Sequence, residues 1–167
     1  MATEPPGEQT AARQPMRSIH TNTFAEVLRH LGVSLWVTTY QAGKLVILRA
    51  DDSGVTTHFR NFARPMGLAL DGDRLAIGTA TEIREFHNLP AVASKLEPPE
   101  RHDACFLPRT AHATGDVQIH EMAWSQGELW FVNTRFSCLC TRSDCYSFVP
   151  RWRPASLAGL PPRTAAR

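Results

Sequence analysis

The sequence predicts an all-β fold, an incomplete β-propeller of about three blade-like repeats that is preceded by one short helix. After Gly32 the apolar residues recur with a period of two, in short runs separated by Gly, Asp, Asn and Pro, as in strands joined by turns. Three segments also align with one another when Leu35, Leu75 and Leu129 are matched, at spacings of 40 and 54 residues. Repeats of about this length are typical of propeller blades.

The short helix is predicted at residues 23–31. Thr23 and Glu26 have the spacing of a capping box, which satisfies two free amides at a helix start. Gly32 is placed to end the helix in the left-handed conformation. One apolar face is predicted from four residues at helical spacing, namely Phe24, Val27, Leu28 and Leu31.

Each aligned repeat predicts two strands. The predicted strands are 34–40 and 44–48, 74–79 and 82–86, and 128–134 and 137–141. In the second and third repeats, residues 66–72 and 121–127 add an earlier apolar strand and a polar turn, which predicts a hairpin within a blade. Stacked blades would share a core, because one blade cannot bury both of its faces alone. The alternative is a small β-sandwich or barrel with accidental internal similarity.

Three regions are expected along the chain. Residues 1–16 lack apolar periodicity and are predicted to be a disordered tail. Residues 17–154 form the partial propeller, with an insertion at 96–114, and residues 155–167 are expected to be irregular and disordered. Since a propeller needs four or more blades to close, the sequence is interpreted as a truncated or frameshifted product.

Composition restricts the partners. The formal net charge is +2 with no concentrated basic stripe, so a nucleic-acid partner is not expected. The sequence contains no run of 18 apolar residues, so no membrane-spanning segment is predicted. The first 15 residues lack the features of a secretory signal, so a cytoplasmic location is expected. The four cysteines are then expected to be reduced thiols or metal ligands.

From Ser34 onward the chain resembles a family of uncharacterised bacterial conserved-hypothetical proteins, a domain of unknown function predicted to be β-propellers. Five blocks carry the resemblance: SLWVTTYQAGKLVILR (34–49), HFRNFARPMGLALDGDRLAIGT (58–79), LEPPERHDACFLPR (96–109), GDVQIHEMAWSQGELWFVNTRFSCLCT (115–141) and YSFVPRWRP (146–154). The resemblance implies that this chain corresponds to the N-terminal half of the family pattern, which is lost from Ala155 onward. It implies no particular activity.

Three cysteines are candidate metal ligands. Cys138 and Cys140 are two residues apart, so they face the same side of one strand, and Cys145 follows a turn. Zinc sites prefer Cys pairs separated by two to four residues, and this spacing is shorter. The alternative is that these cysteines are structural thiols of the core.

His120, Glu121 and Asn133 are candidate ligand-binding residues. Residues 121–132 are similar to a strand of the calcium-dependent lactonase propellers of the gluconolactonase type, and the similarity implies that Glu121 helps to hold a divalent cation. Glu and Asn oxygens suit a hard cation, which could polarise an ester carbonyl. The alternative is a solvated pair at the rim of the blade.

His102 and Asp103 lie between Pro98-Pro99 and Pro108 and are candidates for a binding loop. Prolines reduce the conformational freedom that a loop loses on folding. The alternative is that this loop is a simple connector, which prolines would stabilise in the same way.

Two functions are therefore considered. The first is a propeller-type binding or scaffold domain with an unknown ligand or protein partner. The alternative is a divalent-cation-dependent, lactonase-like hydrolase, which would use calcium or zinc. No catalytic motif supports an enzyme, and no cofactor is firmly predicted. Self-association through an unpaired blade edge is also expected.

Overall fold

The computed structural model describes residues 19–99 and 101–157, and the predicted tail at 1–16 lies outside them. Helix α1 (Phe24–Leu31) comes first, and helix α2 (Pro90–Ala93) follows the sixth strand. The strands are β1 (Leu35–Thr39), β2 (Lys44–Asp51), β3 (Gly54–Asn61), β4 (Leu68–Asp71), β5 (Arg74–Gly78), β6 (Glu82–Asn88), β7 (Phe106–Ala113), β8 (Ile119–Ser125), β9 (Glu128–Asn133), β10 (Cys138–Thr141) and β11 (Val149–Trp152). The fold of these residues is mostly β, as predicted.

The described strands form three antiparallel sheets, each a meander in chain order. The first sheet contains β1–β3, the second β4–β7 and the third β8–β11. The aligned repeats match this division, because β1, β5 and β9 are the strands that contain Leu35, Leu75 and Leu129. The two predicted hairpins are β4–β5 and β8–β9.

The second sheet packs between the other two. One core cluster joins it to the first sheet, with Leu45, Leu75 and Ile77 buried and Trp36 and Ile47 packed beside them. A larger cluster joins it to the third sheet: Ala69, Ala76, Ile83, Val117, Ile119, Met122, Leu129, Phe131, Cys138 and Cys140. Each cluster buries apolar surface that a single sheet would expose, which stabilises the stacked arrangement.

The second and third sheets approach closely at two glycines. A Cβ atom at Gly78 would lie 2.6 Å from Ile119 Cγ2 and 2.9 Å from Met122 Sδ. A Cβ atom at Gly67 would also clash with Met122. The two glycines therefore make room for the first strand of the third sheet.

Helix α1 differs in part from the prediction. Gly32 ends it in the left-handed conformation, with φ 62°, as predicted. The capping box is wrong: Thr23 has a helical backbone and makes no side-chain bond to the helix, whereas a capping residue needs an extended backbone. The buried residues are Ala25 and Leu28, while Val27 is 50% exposed.

The predicted insertion at 96–114 is also wrong in part. Its second half forms β7, which pairs with β6 as the outer strand of the second sheet. Residues 96–105 connect α2 to β7. At the C-terminal side, Ala155–Leu157 forms a short 3-10 turn, and 158–167 lie outside the described residues. No helix within the described ranges is long and apolar enough to cross a membrane.

Candidate functional site

The residues predicted as ligands lie in four separate places. Asn133, Cys138 and Cys140 come together in the core between the second and third sheets. His120 and Glu121 are on β8, His102 and Asp103 are in the loop before β7, and Cys145 is exposed between β10 and β11.

Cys138 and Cys140 form a buried pair of thiols. Their Sγ atoms are 3.4 Å apart, and both cysteines are free. Burial, and then the neighbouring Cys138, raise the pKa of Cys140 to about 12. Because the thiolate is the form that attacks electrophiles, Cys140 is a poor nucleophile at neutral pH.

Asn133 supports this pair from β9. It lies opposite Cys138 in the ladder, and its Oδ1 accepts a hydrogen bond of 3.1 Å from the Phe136 amide. Its side chain is completely buried. It therefore belongs to the core and does not join His120 and Glu121 in a solvent-facing site.

His120 and Glu121 face solvent at an irregular point of β8. Their Nδ1 and Oε1 atoms are 3.9 Å apart. The ladder between β8 and β9 shifts register between Ile119 and Met122, which places the two residues in a β-bulge. Bulges are common beside functional sites because they redirect side chains.

Within residues 19–99 and 101–157, no three His, Cys, Asp or Glu side chains are arranged so that they could hold a metal ion. Cys145 is thus not grouped with the buried thiols. A calcium or zinc site stays a prediction.

A cluster of basic side chains lies on the first sheet, and we call it the cationic cluster. It consists of Arg49 on β2, His58 and Arg60 on β3, and His102 in the loop before β7. Arg49 Nη2 is 3.0 Å from His58 Nε2. Within that loop, His102 Nε2 is 3.1 Å from the Glu97 carbonyl oxygen.

The local strands explain why three of these side chains share a face. His58 pairs with Ile47 and Arg60 pairs with Leu45, and paired residues of antiparallel strands lie on one face. Leu45 and Ile47 belong to the core against the second sheet. Arg49 follows Ile47 by two residues and so points the same way.

The charges that act on His58 in the cationic cluster are all positive. Burial, followed by the charges of Arg49, Arg60 and His102, lowers the pKa of His58. All three charged groups that act on His58 are basic. The neighbouring Asp51 carboxylate accepts bonds from Ser53, which lower its pKa, and Arg101 adds a smaller effect.

The family can now be assigned. The family described as "Domain of unknown function (DUF4915)" matches residues 22–164. The chain belongs to this family. No curated protein and no solved structure gives a match.

Sequence reasoning placed only His102 of the cationic cluster among the candidate residues. His58 and Arg60 were missed because β3 was not predicted, and Arg49 lies one residue beyond the predicted end of the strand at 44–48. The signal that was present is the alternation of His58 and Arg60, which puts two basic side chains on one face of a strand.

Proposed function

We propose that the three sheets are successive blades of a β-propeller and that this DUF4915 domain is a non-catalytic binding domain whose ligand carries an anionic group. Three meanders in chain order, with the second packed between the others, support the propeller. Loops that a rigid scaffold positions, such as the one that carries His102, commonly hold binding residues.

The charge around His58 is the observation that carries the binding proposal. A guanidinium lies 3.0 Å from the His58 imidazole, and two further basic groups act on the same ring, so positive charge and N–H donors are concentrated at this point of the surface. A bound anion would offset this positive charge. Arginine also presents paired N–H donors that fit a carboxylate or phosphate.

A divalent-cation-dependent hydrolase is supported less well. It would rely on Glu121, which is exposed and lies 3.9 Å from His120. Asn133, the third residue of that hypothesis, has its side chain in the core. The bulge of β8 is compatible with either function and does not favour the hydrolase.

The proposal is tested by titrating the full chain with inorganic phosphate, using chloride of equal ionic strength as the reference. NMR chemical shifts of the His58 and His102 rings report the site directly. We expect saturable shifts and at least fivefold weaker binding for Arg49→Gln and for Arg60→Gln.

Arg151→Gln is the matched control, because Arg151 is an arginine of the third sheet that pairs with Glu128 at 3.2 Å. It should bind phosphate like the unaltered chain. If all three variants bound phosphate equally weakly, the loss would follow from the change in net charge alone, and this result would contradict the proposed site. Unshifted His58 and His102 resonances would contradict it as well.

A further inference from the structure

The first sheet has one strand fewer than the other two. In the second sheet β5 lies between β4 and β6, and in the third sheet β9 lies between β8 and β10. The equivalent strand β1 pairs only with β2 among the described residues. The edge of β1 that corresponds to the β4 and β8 positions is therefore open.

Exposed apolar residues accompany this open edge. Leu35 and Val37 of β1 are 43% and 39% exposed, whereas the aligned residues of the other sheets, Leu75, Ile77, Leu129 and Phe131, are at most 3% exposed. Trp36 packs toward the second sheet, so Leu35 and Val37 lie on the opposite face. That face has neither a neighbouring sheet nor a neighbouring strand at β1 in the described chain.

A second observation comes from the facing sheet. Leu70 of β4 is 64% exposed. It alternates with Leu68, which packs in the core toward the first sheet, so Leu70 points to the same side. A strand added beside β1 would cover the exposed Leu70 side chain.

The third sheet shows how the equivalent position is normally covered. Trp124 pairs with Leu129 as Leu70 pairs with Leu75. Trp124 is partly buried against the core shared with the second sheet, where both β4 and β5 pack against β8. Leu70 thus lacks the cover that its counterpart has.

The two strands that occupy this position elsewhere define the chemistry of a partner. Both carry a large apolar residue, an alanine and a second large apolar residue: Leu68-Ala69-Leu70 in β4 and Met122-Ala123-Trp124 in β8. In β4 the alanine faces the following sheet, and the large residues face the preceding side. A strand beside β1 would therefore place alanine toward Leu70 and large side chains beside Leu35 and Val37.

We propose that the open edge of β1 binds an extended polypeptide segment of the pattern large apolar–alanine–large apolar, antiparallel to β1, as a fourth strand. Main-chain hydrogen bonds would give affinity, and the alternating side chains would give selectivity. The sequence of β1, Leu-Trp-Val-Thr-Thr, contains none of the charges or prolines that commonly protect an edge from pairing. This proposal does not depend on anion binding.

The probe is a fluorescent peptide that copies residues 65–73 of this chain, with fluorescence anisotropy as the readout. We expect saturable binding to the full chain. The same peptide with Ala69→Lys should bind at least tenfold more weakly, because lysine would lie against Leu70. Hydrogen exchange should show β1 amides protected only when the unaltered peptide is present.

Two variants of the chain complete the test. Val37→Lys places a charge on β1 and should weaken peptide binding at least tenfold. Leu31→Lys alters another exposed apolar residue, 61% exposed on α1, and should leave binding unchanged. Absence of binding by a folded chain would overturn the proposal.

Self-association is the competing outcome. A dimer in sedimentation velocity that dissociates with Val37→Lys, together with no peptide binding, would show that a second copy occupies the edge and would overturn the proposal. Equal binding of the Ala69→Lys peptide would show nonspecific adhesion and would also overturn it.

Discussion

The Arg142 guanidinium lies 3.4 Å from the Glu85 carboxylate, and this ion pair connects the third sheet to the second. Glu85 is 8% exposed, and Arg142 also lies 3.4 Å from the exposed Asp144. A buried carboxylate is costly without a positive partner. Loss of Arg142 would leave the Glu85 carboxylate buried without a positive partner, and we expect this cost to exceed the energy of the ion pair itself.

We expect Arg142→Ala to lower the free energy of unfolding by about 1–3 kcal/mol, because it leaves Glu85 buried without its partner. Urea unfolding monitored by tryptophan fluorescence measures the change. Arg84→Ala is the control: it removes an exposed pair with Glu82 and should cost less than about 1 kcal/mol. Equal losses in the two variants would contradict a special role for Glu85.

The pKa of His58 gives a prediction about pH. Burial and then the charges of Arg49, Arg60 and His102 lower that pKa, so the folded state binds this proton less readily than the unfolded state. The stability associated with His58 is then present above its ordinary pKa of about 6.5 and is lost as the pH falls through the lowered pKa.

Arg49→Gln should raise the pKa of His58, because it removes the largest of the charge effects while most of the burial remains. NMR titration of the His58 ring measures the pKa in both proteins. Arg151→Gln should leave it unchanged. A His58 pKa that did not rise in Arg49→Gln would mean that the 3.0 Å contact does not persist in solution.

The inner strands could be predicted from the sequence because each is buried on at least one face. Hydrophobic alternation in β5 and β9 located both within about one residue of their bounds, and the repeat alignment located their hairpin partners. Outer strands gave no such pattern. β3 carries mainly polar residues, and β7 and β11 contain Pro108 and Pro150.

Those two prolines argue against a strand when only the sequence is considered. In the structure each lies on an outer strand, and the ladder that pairs it shifts register nearby, between Glu85 and Phe86 and between Leu139 and Cys140. An edge strand with an irregular ladder tolerates a missing amide donor. The cationic cluster was missed because half of it is on β3, an outer strand whose mainly polar sequence gives no hydrophobic alternation.

The cysteines should differ greatly in reactivity. Cys145 is exposed, whereas Cys140 is buried and has a pKa raised to about 12. Iodoacetamide at neutral pH should therefore label Cys145 first and Cys140 only after unfolding. Mass spectrometry of timed samples measures the order. Cys145→Ser should remove the fast phase, and rapid labelling of Cys140 in the folded chain would contradict its burial.

The raised pKa of Cys140 also predicts a loss of stability at high pH. Above the ordinary thiol value of 9.0 the unfolded chain loses this proton while the folded chain keeps it, so unfolding becomes more favourable as the pH rises. Thermal unfolding between about pH 8 and pH 10 measures the effect. Cys140→Ala should reduce the slope, and Cys145→Ala should not.

The close approach of the second and third sheets gives the last prediction. At Gly78 an added methyl group would meet Ile119 Cγ2 at 2.6 Å. Replacing glycine by alanine normally raises the free energy of unfolding by about 0.4–1 kcal/mol, because alanine restricts the conformations of the unfolded chain. Overpacking costs about 1–3 kcal/mol, so the clash should win and Gly78→Ala should be destabilising.

A double-mutant cycle with Ile119→Ala separates the clash from other effects. Ile119→Ala alone should cost about 2–5 kcal/mol, since it removes buried carbon atoms. The same change removes the Cγ2 atom that Gly78→Ala would meet. The double variant should therefore be more stable than the sum of the two losses predicts, by about 1 kcal/mol or more. Strictly additive losses would mean that Ile119 Cγ2 is not the atom that resists a methyl group at Gly78, and would contradict the 2.6 Å approach at this position.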